Sequence, residues 1–287
     1  MITVILDCDP MIYAAGFVTE HSFYDVYTKG SKLIKTFEGK RTLNEWLEEN
    51  DKKESDFVIE KRIELEPVEN AYNVLNTQLR EIQNKFQAEQ MLLFLTDDRR
   101  GYNFRDYVAM QQRYKDRPSN SRPAYYTQLR KFLVERHNAI MVTGFEADDA
   151  VATQAWSTIC YGDCDTVLVS IDKDLDMVPG RHYNPVKKIL YYITEEEARK
   201  HFYTQLLTGD TTDSIPGLPR IGPKKAEALL KDCETEDELF SVVFEQYKKK
   251  FKEAALYVMT EQARLLWMLR WAGDVWLPND AYFKEVS

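Results

Sequence analysis

Four apolar runs in this chain end on carboxylates, and that recurrence narrows the possible folds more than any other feature. Asp7 follows ITVIL and Asp97 follows LLFLT. Glu146, Asp148 and Asp149 follow IMVTGF, and Asp172 and Asp174 follow TVLVSI. Short uninterrupted apolar runs of this kind suit strands buried on both faces. Between them the apolar positions recur at helical spacing: Val68, Ala71, Tyr72, Leu75, Leu79, Ile82 and Phe86 mark one amphipathic helix, and residues 124–137 read as another. Strands alternating with helices predict an α/β fold with a mostly parallel central sheet flanked by helices. In such sheets sites form outside the carboxyl ends of the strands, so the acids are expected along one edge.

A single acid at a strand end is an ordinary helix cap. A set of them is different. Like charges a few ångströms apart raise each other's pKa and cost free energy, so the set calls for a cation. Oxygen donors without His or Cys suit Mg²⁺ or Mn²⁺. Two such ions about 4 Å apart clamp the attacking and leaving oxygens of a phosphodiester. The stretch LLTGDTTDSIPGLPRIGPKKAEALL (206–230) adds Asp210 and Asp213, whose spacing suits one face of a helical turn. Its Gly turn opens a helix, where backbone N–H groups with Lys224 and Lys225 suit a phosphate.

The net charge of −9 argues against nucleic acid only if it is evenly spread, and it is not. Residues 99–131 hold nine Lys or Arg against two Asp, with Tyr102, Phe104, Tyr107, Tyr114, Tyr125 and Tyr126 interleaved. Cations that track phosphates and rings that stack on bases make a single-strand surface. Because this segment lies between two acid-bearing strands, it is expected to overhang their edge. Residues 22–39 read as a hairpin, 41–55 as a short helix and loop, 57–66 as a strand and 188–194 as a fifth sheet strand. The rest is expected to be helical to about residue 271. This divides the chain into an α/β core over 1–194, carrying inserts at 20–66 and 99–131, and a helical region over 195–287 packed on the same core. No apolar run approaches the roughly 18 residues of a membrane span. Cys8, Cys160, Cys164 and Cys233 form neither a disulfide framework nor a zinc set. With no signal peptide, a reduced cytoplasmic protein is expected.

Taken in order, LDCDPMIYAA, FRDYVAMQQRYKDRP, GFEADDAVAT, SIDKDLDMV and TGDTTDSIPGLPRIGPKKA resemble the 5′ nuclease superfamily. That family comprises flap endonucleases, phage 5′→3′ exonucleases and the 5′ nuclease domain of bacterial DNA polymerase I; the chain looks most like the stand-alone phage form. The resemblance implies a PIN-like or resolvase-like sheet with a helical arch and a C-terminal helix-two-turn-helix. It implies that Asp7, Asp97, Glu146, Asp148 and Asp149 hold one Mg²⁺, and that Asp172, Asp174, Asp210 and Asp213 surround a second. Mn²⁺ would substitute. Tyr114, Lys115 and Arg117 fall on the arch, with Lys115 and Arg117 steering the scissile phosphate and Arg113 and Arg122 adding DNA contacts. Gly217, Ile221, Gly222, Lys224 and Lys225 match the duplex-gripping element, with a bound K⁺. The implied partners are DNA with a 5′ end, flap or nick, an RNA primer on DNA, and replication proteins, in a phage-type replication or DNA-degradation role; no membrane is implied.

The chain also departs from the pattern. Ala14 stands where many relatives have Arg, Arg220 where the first Gly of Gly-Ile-Gly falls, and Ser214 where Asn follows the last Asp. Asp97 and Asp98 both suit the second motif; Asp97 follows its strand directly. Asp9, two residues past Asp7, is a candidate extra ligand. A PIN-type ribonuclease shares the acid-edged sheet but lacks the 208–226 element. A non-catalytic DNA-binding module would have lost an acid, and none is lost here.

Overall fold

The computed structural model describes residues 2–97, 99, 103–116, 121–160 and 165–278. Asp98, Arg100, Tyr102, Arg117 and Cys164 lie outside the described residues, as does the Cys160 side chain. The chain forms two compact units, Met1–Pro10, Ile82–Asn120 and His137–Ser287 in one, Met11–Glu81 and Ser121–Arg136 in the other.

The first unit carries a six-stranded sheet in the order β6 (Ile140–Val142), β5 (Gln90–Thr96), β1 (Thr3–Asp7), β7 (Thr166–Val169), β8 (Gly180–Asn184) and β9 (Ile189–Ile193). All neighbours are parallel except β9, which runs antiparallel to β8. Every residue of β1 and β7 is buried, which is why these runs are apolar without alternation. The mostly parallel α/β sheet expected from the sequence is therefore present. Its four acid-bearing strands, β6, β5, β1 and β7, are adjacent and point the same way.

Strand β8 escaped the sequence reading because GRHYN is polar. Its buried side chains include a histidine: His182 donates from Nε2 to the Val178 carbonyl at 2.8 Å and stacks on Tyr191. Burial outweighs that hydrogen bond and holds the imidazole below its ordinary pKa.

The helices of this unit are α4 (Phe104–Val108), α6 (Ala147–Cys160), α7 (Glu195–Thr208), α8 (Pro223–Leu230), α9 (Glu236–Phe251) and α10 (Ala255–Leu266). Thr194 with Glu197 and Thr235 with Glu238 form capping boxes that start α7 and α9. One apolar core joins Ile5 and Leu168 of the sheet to Val151 of α6, Leu206 of α7, Phe240 of α9 and Met259 of α10. Helix stops at Leu266, short of the expected 271. Beyond it the Trp267 indole donates to Asp274 at 2.8 Å and the Arg264 guanidinium to the Trp276 carbonyl at 3.2 Å.

The second unit holds a three-stranded antiparallel sheet, β3 (Leu33–Glu38), β2 (Glu20–Tyr27) and β4 (Val58–Leu65), backed by α2 (Gly39–Glu49). The predicted hairpin and strand thus pair into one sheet, sealed by Val26, Phe37, Leu43 and Leu47. Helices α1 (Asp9–Val18), α3 (Val68–Phe86) and α5 (Tyr126–His137) carry the chain at the unit boundaries, and Tyr72 stacks on Phe132 at 4.2 Å.

Arg105 is 1% exposed, so it is not the surface cation its segment suggested. Its guanidinium meets both oxygens of the fully buried Asp149 and donates to the carbonyls of Leu265 at 2.8 Å and Trp267 at 2.9 Å. This pair pins α4 to α6 and to the end of α10. Removing one partner strands a buried charge. Arg105→Met is expected to cost about 3–5 kcal/mol in urea unfolding, and adding Asp149→Leu to restore much of that loss.

Candidate metal centre

The parallel register gathers the strand-end acids. Asp7 closes β1 with its carboxylate almost buried, and its Oδ1 accepts the Asp9 amide at 3.0 Å. Asp9 opens α1, and its carboxylate accepts the Thr96 amide at 3.1 Å. Asp148 lies in the first turn of α6, with Glu146 just before it. Asp172 and Asp174 follow β7, where Asp172 Oδ1 accepts the Asp174 amide at 3.0 Å.

Asp210 and Asp213 sit in a loop, not on the helical turn that their spacing suggested. Asp210 Oδ1 accepts the Thr212 amide at 2.6 Å, an Asx turn. Asp210 and Ile215 exchange backbone hydrogen bonds of 2.8 and 2.7 Å that close the loop. Gly209 and Gly217 meet at its neck with φ of 72° and 60°. A Cβ on Gly217 would stand 2.2 Å from the Gly209 nitrogen, so no side chain fits.

Burial and mutual repulsion set the charge state of these acids. Burial, then Asp9, Asp172 and Glu146, push Asp7 well above the carboxylate range. Burial, Glu146 and Asp149 do the same to Asp148. Asp174 is pushed up to about 7 by burial and Asp172, with Asp210 and Asp213 adding to the effect. These mutual effects link the acids of β1, α6, β7 and the 210–213 loop into one field. Asp97 and Asp149 stand differently. Asp97 is held well below the usual range by Arg99, and Thr143 donates to it at 3.0 Å. Asp149 is taken up by Arg105.

Tyr114 and Lys115 enter this field. The Tyr114 hydroxyl lies 2.7 Å from both Glu146 Oε2 and Asp213 Oδ2. Lys115 Nζ is 2.5 Å from Glu146 Oε1 and 3.6 Å from Asp213 Oδ2. The Lys115 backbone is left-handed, φ 51°, and its amide donates to the Asp213 carbonyl at 3.0 Å. Burial opposes it, yet Lys115 and Arg105 draw Glu146 below its ordinary pKa. One ammonium cannot neutralise so many acids, and every donor turned to the field is oxygen. Divalent Mg²⁺ or Mn²⁺ fits that donor set. Among the described residues no three of these side chains are drawn together tightly enough to close a metal shell.

The remaining predicted residues lie elsewhere. Gly222 caps α8 with Pro223 in its first turn, Lys224 and Lys225 are exposed there, and Ile221 is buried beneath. Two cations in a first helical turn oppose the helix dipole, an arrangement a bound anion relieves. Arg113 is exposed in the first unit; Arg122 belongs to the second, over the Tyr126 ring at 4.5 Å. Arg130 is buried on Tyr126 and adds nothing to a surface.

No family model matches the chain. DNA polymerase I of Rhizobium leguminosarum is 36% identical over 126 residues, 41% of this chain and 12% of that protein. Flap endonuclease Xni of Shewanella piezotolerans is 29% identical over 134 residues, 44% of this chain and 52% of its own length. The chain thus spans about half the length of that Xni protein and a small part of the polymerase. A solved structure described as divalent metal ions (zinc) bound to T5 5′-exonuclease superposes with a TM-score of 0.51 at 14% identity, covering 93% of this chain and 86% of that one. At that identity the likeness concerns the fold alone. The resemblance to the 5′ nuclease superfamily is borne out.

Two of the three departures from the family pattern gain a physical reading from the backbone. Ser214 and Arg220 have left-handed backbone, φ 63° and 64°, where the family pattern has Asn and Gly, the residues that tolerate it. No helix among the described residues is long and apolar enough to cross a membrane. The sequence reading missed Arg105 as a buried anchor, and nothing in the FRDYV turn, which also carries Asp106, marks it as one. Arg220→Gly is expected to raise stability by about 1 kcal/mol. Gly217→Ala is expected to lower it by about 2 kcal/mol or more. Denaturant unfolding of both variants checks the loop geometry.

Proposed function

We propose that this chain is a divalent-metal-dependent nuclease that hydrolyses DNA phosphodiester bonds near 5′ ends, as a 5′→3′ exonuclease or flap endonuclease. The observation that carries this reading is the shared field of buried carboxylates at one edge of a parallel sheet. In it Asp7, Glu146 and Asp148 would hold one Mg²⁺, and Asp172, Asp174, Asp210 and Asp213 a second. Asp97, tied to Arg99, and Asp149, tied to Arg105, would serve the first group from further out. The bound ions would supply a water of lowered pKa and offset charge on the scissile phosphate.

The chain's own residues do the rest. Tyr114 and Lys115 already reach acids of both groups, so they would place the scissile phosphate between them, and Arg117 would add charge there. Burial keeps bulk water from screening these charges. Lys224, Lys225 and the amides at Gly222 would grip the duplex backbone, with K⁺ as a further ligand of that turn. Contacts of that kind read no base sequence. An RNA primer on DNA is a second substrate of the same chemistry, and replication proteins are the partners that such a role implies.

An internally labelled 5′-flap duplex and a nicked duplex, each with Mg²⁺ or with EDTA, test the reading. One released flap is expected from an endonuclease, and short products from the nick from an exonuclease. Asp172→Ala is expected to lose about 100-fold or more in rate while still binding DNA. Cleavage at the wild-type rate by that variant, or no Mg²⁺-dependent product from either DNA, contradicts the assignment.

A further inference from the structure

Beside Asp172 opens a cavity of about 400 Å³, within the range of small-ligand sites. It is lined by Ile171, Lys173, Val186, Lys187, Ile189 and Tyr191, with Asp172, Asp176 and Asn184 completing it. Its floor is rigid. The Tyr191 hydroxyl donates to Asp176 Oδ1 at 2.9 Å while its ring lies against His182. Its rim is shaped by Asn184, whose Oδ1 accepts the amides of Val186 at 3.1 Å and Lys187 at 2.9 Å. Three apolar side chains on the wall stand open to water: Val186 at 74% exposure, Ile189 at 51% and Ile171 at 44%. Lys173 and Lys187 are exposed, and neither forms an ion pair among the described residues.

A lining that joins apolar side chains and the Tyr191 ring to two exposed lysines, Lys173 and Lys187, suits a nucleobase joined to a phosphate. Asp172 belongs both to this lining and to the acid field, so a ligand in the cavity adjoins that field. We propose that this cavity is a nucleotide subsite that takes the base of a nucleotide adjoining the scissile phosphate, with Lys173 and Lys187 on the neighbouring phosphate. The inference rests on the nuclease reading and adds to it a contact independent of both the 99–131 segment and the 208–226 element. The site grips one nucleotide of the cut strand and sets register, while Asp172 serves the reaction.

The test uses the full chain. Lys187→Glu and Val186→Asp alter exposed turn residues that support no core contact. Each is expected to raise the KM for the flap duplex about tenfold while leaving kcat within about twofold. A flap duplex carrying 5-bromodeoxyuridine next to the scissile phosphate is expected to photo-crosslink to the Ile189–Ile193 strand. If the wild-type chain cuts the flap but both variants keep the wild-type KM and the crosslink maps elsewhere, the subsite is wrong and the nuclease reading stands. If the wild-type chain cuts neither DNA, the nuclease reading falls and takes this inference with it.

Discussion

Carboxylates crowded at the carboxyl edge of a parallel sheet repel one another, and the rest of this molecule is arranged around that repulsion. Asp7, Asp148 and Asp174 are all pushed above their ordinary pKa by burial and by each other. A fold gains nothing from such a field unless a cation enters it. Lys115 and Arg105 supply internal cations, and both act on Glu146. Lys115 reaches Glu146 and Asp213, and Arg105 pairs with Asp149.

Holding that field in place requires backbone devices remote from its chemistry. The close meeting of Gly209 with Gly217 folds the loop that brings Asp210 and Asp213 to the edge. The capping box at Thr194 fixes the start of α7, whose last turn leads into that loop. A single apolar core joins these helices to the sheet, so the acids on the loop and those on the strands belong to one compact unit.

The sheet and its acids were legible because strands buried on both faces leave an unbroken apolar run, and a charge at its end stands out. Strand β8 was not legible, since its pairing with β7 and β9 supplies what the polar GRHYN sequence lacks. Residues 22–39 and 57–66 read correctly as strands, but only the register of β2 with β4 shows that they share one sheet. The Asp210 loop was misread because a three-residue spacing suits a helical turn and an Asx turn alike. Arg105 and Arg130 were misread for a different reason. Charge composition counts side chains without saying which ones tertiary packing buries.

The central claim is that the acid field exists to hold divalent cations. Calorimetric titration of the full chain with Mn²⁺ tests it directly. The account predicts two ions per chain, with protons released as the elevated carboxyls of Asp7, Asp148 and Asp174 ionise, and hence tighter binding as pH rises. Binding without proton release, or titration heats unchanged by Asp174→Asn, would contradict it.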